Sequence, residues 1–538
     1  MQYLQDPRLS VGPQRMIALP AGVILTLDST PMKETHQKVF VMNGLRAVLM
    51  VALGTAPWTS GTAIPQDTAS NPTIDVQAER EALRLVDVWL ESRQVYQRIP
   101  ALSGAIVQGD HTVWSNGYGT LDVAHKIPAT AQTLYSICSI SKLFTAVGLM
   151  QLWEEGRVRL DEPVTAYLPW VRLKPPDQDS VPITLRAILS HSAGLPREAD
   201  FPYWTGPDFS FPTEDQLRST LAEQTPLWPA SLRYEYSNLG LTLIGEVVSA
   251  VSGEPYQDYV RSHILQPLGL NDTHPFLPLP LYNKRLAVGW GSITREGSRE
   301  LMKPFDTRAL TPAAGYTSTA EDLARFAAWQ FRLLRSGDRT VLSASTLREM
   351  QRVQFVDPGW KDMRGLGFEV VRKGDQTFVG QTGECPGYHS ILWLRPATET
   401  GVVLMTTGER PRADADAVFE LLDKRQTWQF KPPSAVADVD LESYAGRYAA
   451  QPWKSEVAIV PWAQGLALLW LPSADPAEDV EILKAKGGDH FRQVRADGSE
   501  GEEVRFERDR SGHVHRFIQF SNPHDRIADL PPSRSQVP

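Results

Sequence analysis

The 538-residue chain contains no basic run, and its formal charge of −9 leaves it without the basic face that nucleic-acid binding requires. Its histidines are scattered without ligand spacing, and neither a His-Glu-x-x-His helix motif nor a P-loop occurs, so no metal and no cofactor are implied. No Gly-x-Ser-x-Gly competes for the role of nucleophile. The apolar run Ala47–Trp58 is too short to span a bilayer, and no other stretch is a candidate. No internal repeat is visible. What remains, 42% hydrophobic and 22% charged, is the composition of a soluble globular protein whose length allows two to four domains.

Against that background one pairing stands out. Ser139-Ile140-Ser141-Lys142 is the chain's single Ser-x-x-Lys, and the i,i+3 spacing puts serine and lysine on one helical face. Average composition would give a chain this long about one such match by chance, so context has to decide. Leu143, Val147 and Met150 repeat at helical spacing beside Phe144 and Leu152, up to a stop at Gly156, which predicts a helix of about 17 residues. Ser139 then falls in the first turn, where unpaired N–H groups and the positive end of the helix favour a developing oxyanion. A plain N-cap is the alternative use of a serine there.

A serine hydroxyl needs a group to take its proton. The single Tyr-x-Asn, Tyr236-Ser237-Asn238, follows a turn-like stretch and opens an apolar helix running from Leu239 to Val251 and closed by Gly253. Tyr236 could serve as a base if a neighbouring cation, Lys142 above all, lowered its pKa. A third element, Gly380 to Tyr388, reads as the end of a strand and a turn into the next, with β-rich residues on both sides. Its small residues Thr382 and Gly383 would let a substrate lie against the strand backbone.

Ser-x-x-Lys, Tyr-x-Asn and a Lys/His-Thr/x-Gly-like strand, in this order, resemble the penicillin-recognising serine hydrolases, in particular the branch of class C β-lactamases, D,D-peptidases and esterases. His191-Ser192-Ala193-Gly194-Leu195-Pro196 resembles that family's His-Thr-Ser-Gly-Leu-Pro loop, and Ala313 to Leu323 its Gly-rich turn before a helix. The likeness covers roughly residues 85–425. It implies an α/β fold: a β-lactamase/D,D-peptidase-like catalytic domain with a central antiparallel sheet flanked by helices, and an all-helical subdomain over roughly 155–300. It also implies that Ser139 attacks a carbonyl, that Lys142 and Tyr236 handle its proton, and that Asn238 bonds the substrate or Lys142. The backbone N–H groups of Ser139 and Glu384 would form the oxyanion hole, with Gln381, Thr382 and Gly383 against the substrate. His191 and His389 are expected to be structural or wall residues, and Tyr203, Trp204 and Trp290 are candidates for the cleft wall.

One departure bears on specificity. Gln381 stands where the family has Lys or His, and an amide cannot form an ion pair with a substrate carboxylate. This shifts the expected activity from β-lactamase or D,D-carboxypeptidase toward an esterase, amidase or D-amino-acid-peptide hydrolase, unless an Arg or Lys from elsewhere substitutes. The substrate would be a small ester, a β-lactam or a D-amino-acid peptide; a non-catalytic cell-wall peptide-binding relative is the third possibility. Cys138 precedes the nucleophile and Cys385 follows Gly383 by two, so the resemblance implies a Cys138–Cys385 disulfide, with two free buried cysteines as the alternative.

Met42-Asn43-Gly44-Leu45-Arg46, the apolar run and Gly61-Thr62-Ala63 read as a secretory signal, which predicts a true start at Met42, residues 1–63 as extension and leader, and a periplasmic or secreted product. The catalytic domain is expected over 75–428 and a stiff linker over 429–437. Beyond it, seven short alternating runs predict a small antiparallel β-barrel over 438–530, which resembles the lipocalin-like domain that follows this hydrolase in D-aminopeptidase-type relatives.

Overall fold

The computed structural model describes residues 76–174, 177–221, 224–427 and 439–531; the expected leader and linker lie outside the described residues. Eight antiparallel strands build the central sheet: β1 (Ala101–Gln108), β2 (His111–Gly119), β3 (Phe355–Val356), β4 (Met363–Arg364), β5 (Glu369–Lys373), β6 (Gln376–Cys385), β7 (Tyr388–Arg395) and β8 (Thr400–Thr406). Their spatial order is β2-β1-β8-β7-β6-β5-β4-β3. Among the described residues, five helices have 14 residues or more: α1 (Val76–Tyr96), α2 (Ser141–Glu154), α3 (Asn238–Ser252), α4 (Ala320–Ser336) and α5 (Arg412–Thr427).

The apolar runs of β7 and β8 are continuous because both sheet faces are covered. Leu392, Leu394, Val403 and Met405 share a core with apolar residues of α2 and α4. Their alternates Ile391, Trp393, Val402 and Leu404 share another with α1 and α5. The region expected to be all-helical is less regular. Short helices at Leu185–Leu189, Glu214–Leu221 and Tyr256–Val260 surround α3, and Gly289–Trp290 pairs with Leu301–Met302 as a small ribbon. Prolines at 163, 169, 182, 196, 202 and 212 remove the N–H groups that longer helices would need.

The C-terminal part is a closed antiparallel barrel of eight strands: β9 (Gly446–Ala449), β10 (Glu456–Trp462), β11 (Gly465–Leu471), β12 (Val480–Gly487), β13 (His490–Val494), β14 (Glu500–Arg508), β15 (Val514–Gln519) and β16 (Asn522–Ala528). The last strand, absent from the sequence reading, returns to pair with β9 and closes the barrel. Val457, Ile459, Leu466 and Leu468 fill its interior with aromatic rings such as Phe491 and Phe506. Their alternates Ala458, Val460, Ala467 and Leu469 point outward and join the core of α1 and α5. Polar bonds fasten the same seam. Glu81 Oε2 accepts from Arg425 Nε at 2.7 Å and from the Ala463 N–H at 2.8 Å. Arg84 pairs with Glu442, and Arg447 with Glu91.

Glu81→Ala would leave the Arg425 guanidinium buried without its carboxylate and the Ala463 N–H without an acceptor. The expected loss is about 3–5 kcal/mol of unfolding free energy. Denaturant titration checks this, and a loss within the surface-pair range of about 0–1 kcal/mol would show that the seam does not depend on this carboxylate.

Candidate active site

Ser139, the expected nucleophile, sits just before its helix. Cys138–Ile140 form a single 3-10 turn and α2 begins at Ser141, one residue after it, so Ser139 lies in the turn and Lys142 in the first turn of the α-helix. Cys138 is held at φ +48°, a left-handed conformation unusual for a non-glycine residue and worth about 1–3 kcal/mol of strain where its surroundings enforce it. The enforcement is visible: Cys138 is disulfide-bonded to Cys385 of β6, with Cα atoms 5.8 Å apart.

Lys142 is fully buried, and its Nζ lies 3.0 Å from Ser139 Oγ, 2.7 Å from Asn238 Oδ1 and 2.7 Å from the Ala313 carbonyl oxygen. Burial drives its pKa well below the ordinary lysine value; Glu198 opposes the shift and Arg197 adds to it. A neutral amine fits these partners. Two N–H bonds to the carbonyl oxygens of Asn238 and Ala313 would leave a neutral amine's lone pair for the Ser139 hydroxyl.

Tyr236 approaches the nucleophile from the other side, its phenol donating to Ser139 Oγ at 2.6 Å. The expectation that Lys142 would lower its pKa is not met. Burial raises it, and the Ser139 bond and Arg197 offset only part of the rise. The ring lies between Lys142 Nζ at 4.8 Å and Arg197 Cζ at 4.9 Å, and stacks on His191 at 4.5 Å. His191 is buried and holds the start of α3 by accepting the Ser237 N–H on Nδ1, while burial keeps its pKa well below normal. Asn238 Nδ2 donates to Glu198 Oε1 at 2.6 Å, which fixes its amide so that Oδ1 faces Lys142. Sequence reasoning missed Glu198; nothing but its place two residues past Pro196 marks it.

The third element places its backbone against this group. β6 pairs with β5 only as far as Gly380, so on that side Gln381–Cys385 have no strand partner among the described residues. Gly383 lies so close to the nucleophile turn that a Cβ there would come within 2.2 Å of Ile137 O. Gln381 is 2% exposed, its amide occupied by Gly367 O and the Thr382 N–H, so it stands behind the cleft surface rather than on it; Thr382 is half-buried. The cleft has a volume of about 380 Å³ and is lined by Ser139, Asn238, Glu384, Arg197, Trp204, Trp290 and His389, among others. Arg197 is 63% exposed along its side chain and, among the described residues, forms an ion pair with the adjacent Glu198 alone. Arg410 pairs with Glu384 and holds that carboxyl below its usual pKa. Tyr203, expected as a candidate wall residue, is instead buried in the core and bonded to Glu198.

Residues 86–425 match the family described as beta-lactamase. The chain belongs to that family. β-Lactamase family members are generally serine hydrolases that work through an acyl-enzyme on β-lactam or peptide substrates. A human protein described as beta-lactamase-like 1 is 29% identical over 353 residues, which make up 62% of this chain and 66% of that protein. The chain thus spans just under two thirds of this relative. AmpH of Escherichia coli K12, described as a D-alanyl-D-alanine-carboxypeptidase/endopeptidase, is 26% identical over 313 residues, 56% of this chain and 78% of that one. The fold also matches the octameric penicillin-binding protein homologue from Pyrococcus abyssi, with a TM-score of 0.56 at 23% identity, covering 82% of this chain and 98% of that chain.

Two outcomes follow. If neutral Lys142 takes the serine proton, the rate of Ser139 modification by a fluorophosphonate falls as pH drops through the depressed lysine pKa and is flat above it. Lys142→Ala slows the rate about 10²–10⁴-fold, while Tyr236→Phe keeps the acid limb. A rate that climbs steadily into strong alkali and vanishes in Tyr236→Phe would transfer the base to the tyrosine. Separately, Cys385→Ser should lower stability by roughly 2–4 kcal/mol, read by denaturant unfolding.

Proposed function

We propose that this chain is an exported serine hydrolase that cleaves an ester or amide through a Ser139 acyl-enzyme, of the esterase or D-amino-acid peptidase type. One observation carries the reading: a buried lysine whose Nζ donates to two carbonyl oxygens at 2.7 Å and lies 3.0 Å from the serine hydroxyl oxygen, in place to take its proton once neutral. In acylation the Ser139 proton passes to Lys142 Nζ as Oγ bonds to the substrate carbonyl carbon. The oxyanion is received by the N–H groups of Ser139 and Glu384, donors of a kind commonly worth about 3 kcal/mol each. Tyr236, bonded to Oγ, relays the proton from the lysine to the leaving oxygen or nitrogen. Water then attacks the ester with Lys142 again as base, releasing the acid and restoring Ser139. The Cys138–Cys385 disulfide supports export, since such bonds persist in oxidising compartments.

A specific feature favours a second reading. Arg197 presents a guanidinium to the cleft that Gln381 leaves uncharged, and a guanidinium pairs bidentately with carboxylates. Carboxylated substrates, a β-lactam or a D-alanyl peptide terminus, therefore stay in play, as AmpH's description would suggest. A purely binding relative would have no use for the Ser139, Lys142 and Tyr236 geometry.

The test is turnover of p-nitrophenyl butyrate, D-alanyl p-nitroanilide and nitrocefin by the protein, its Ser139→Ala form and its Arg197→Ala form. Ester or anilide cleavage abolished in Ser139→Ala is expected, with Arg197→Ala raising KM for nitrocefin alone by about tenfold. Absence of turnover together with absence of a fluorophosphonate adduct on folded protein would sink the hydrolase reading.

A further inference from the structure

We infer, resting on the serine-hydrolase reading, that Thr145 is a positioning residue for the Lys142 base, acting through the adjacent carbonyls of Pro312 and Ala313 and oriented by Tyr256. Thr145 follows Lys142 by three residues on α2, on the same side of the helix, and is fully buried away from the cleft. Both side chains reach the short helix Thr311–Ala314. The last carbonyls of a helix receive no N–H from within it, and two of them here are taken up by α2. Ala313 O receives Lys142 Nζ at 2.7 Å, and the preceding carbonyl, Pro312 O, receives the Thr145 hydroxyl at 2.6 Å. Ser141 adds a third hold, its Oγ accepting the Tyr316 N–H at 3.1 Å. From the far side α3 presses on the same turn: a Cβ on Gly245 would come within 2.2 Å of Pro312 Cγ. The turn is thus backed by volume and held in front by a hydrogen bond.

The direction of each bond around Thr145 follows from its partners. A carbonyl oxygen only accepts, so the single Thr145 hydroxyl proton goes to Pro312 O; Ser141 O, the other carbonyl in reach, is farther away at 3.3 Å. Thr145 Oγ1 is then the acceptor for Tyr256 at 2.6 Å, and Tyr256 accepts from Tyr316 at 2.9 Å. Burial pushes both phenols above the ordinary tyrosine value, so both keep the proton that this order needs. The relay runs one way, from Tyr316 through Tyr256 and Thr145 to Pro312 O. It ends one peptide unit from the oxygen that holds Lys142. A valine would fill the space of Thr145 but could not hold that carbonyl. The position of Ala313 O matters twice for the lysine, since it aims Nζ and, as an acceptor, favours the ammonium against the burial that opposes it. The other charged and titratable groups around Lys142, namely Tyr236, His191, Arg197 and Glu198, are left in place by a change at Thr145.

Two readouts on the full chain test the assignment: the rate of Ser139 modification by a fluorophosphonate against pH, and titration of the Lys142 Cε resonance by carbon NMR, assigned by its absence in Lys142→Ala. Thr145→Val is expected to slow modification about 10–100-fold on the alkaline plateau, the scale of a misplaced catalytic group. It is also expected to move the Lys142 titration to lower pH by about half a pH unit or more, because an acceptor of the charged form is lost. Thr145→Ser restores both. Tyr256→Phe moves both in the same direction and carries the test if Thr145→Val does not fold. A folded Thr145→Val with the wild-type rate and titration overturns the inference, as does a titration moved to higher pH or a Thr145→Ser that behaves like Thr145→Val. If the wild-type protein takes up no fluorophosphonate, the hydrolase reading fails, and the NMR titration still decides whether Thr145 positions the lysine.

Discussion

The desolvation of one amine governs the chemistry this structure can perform. Lys142 is surrounded by α2, α3 and the turn at Ala313, and water that would keep it charged is excluded. The nearest carboxylate, Glu198, reaches it only through Asn238. That one-residue spacing matters. A carboxylate in direct contact would hold the amine as an ammonium with no lone pair for Ser139, whereas an amide carbonyl accepts an N–H without demanding a charge. The Tyr-x-Asn segment thus holds the Lys142 amine through an amide rather than a carboxylate.

Much of this could be read from the sequence because the motif residues are close in the chain to elements with strong patterns of their own. Ser139 and Lys142 open an apolar helix ended by Gly156, and Tyr236 and Asn238 open another ended by Gly253. The central sheet was expected from the family resemblance, with only the Gly380–Tyr388 segment and its β-rich flanks read as strands from pattern. What escaped depends on three-dimensional proximity without local pattern. Glu198 and Arg197 come from an irregular loop, the Ala313 carbonyl carries no side-chain signal, and whether Lys142 lowers the Tyr236 pKa depends on its own charge, which only burial decides. β16 was missed for a different reason. Asn522-Pro523-His524-Asp525-Arg526-Ile527-Ala528 is polar and faces solvent at most positions, so nothing alternates, yet its backbone closes the barrel.

The same neighbourhood shows how a small set of covalent and steric constraints keeps two chain-distant segments in register. Gly383 has no room for a side chain beside Ile137, and two residues on Cys385 is bonded to the residue preceding Ser139. The nucleophile turn and the free edge of β6 are therefore fixed against each other twice, once by exclusion of volume and once by a bond. Glu384, toward the outer end of that edge, lines the cleft and is paired with the exposed Arg410.

The outward residues of the barrel, Val460, Trp462 and Leu469, occupy the place that solvent or another helix would take over α1 and α5. In layer terms the catalytic part has a sheet covered on both sides, but the second cover is itself only half dressed until the barrel arrives. A ribosome finishing the catalytic residues would present that half-dressed face for the time needed to synthesise the remaining hundred or so, at about 5–20 residues per second. Until the barrel is made, the apolar residues of α1 and α5 that it covers face water, so the two parts complete one core only when the chain is finished.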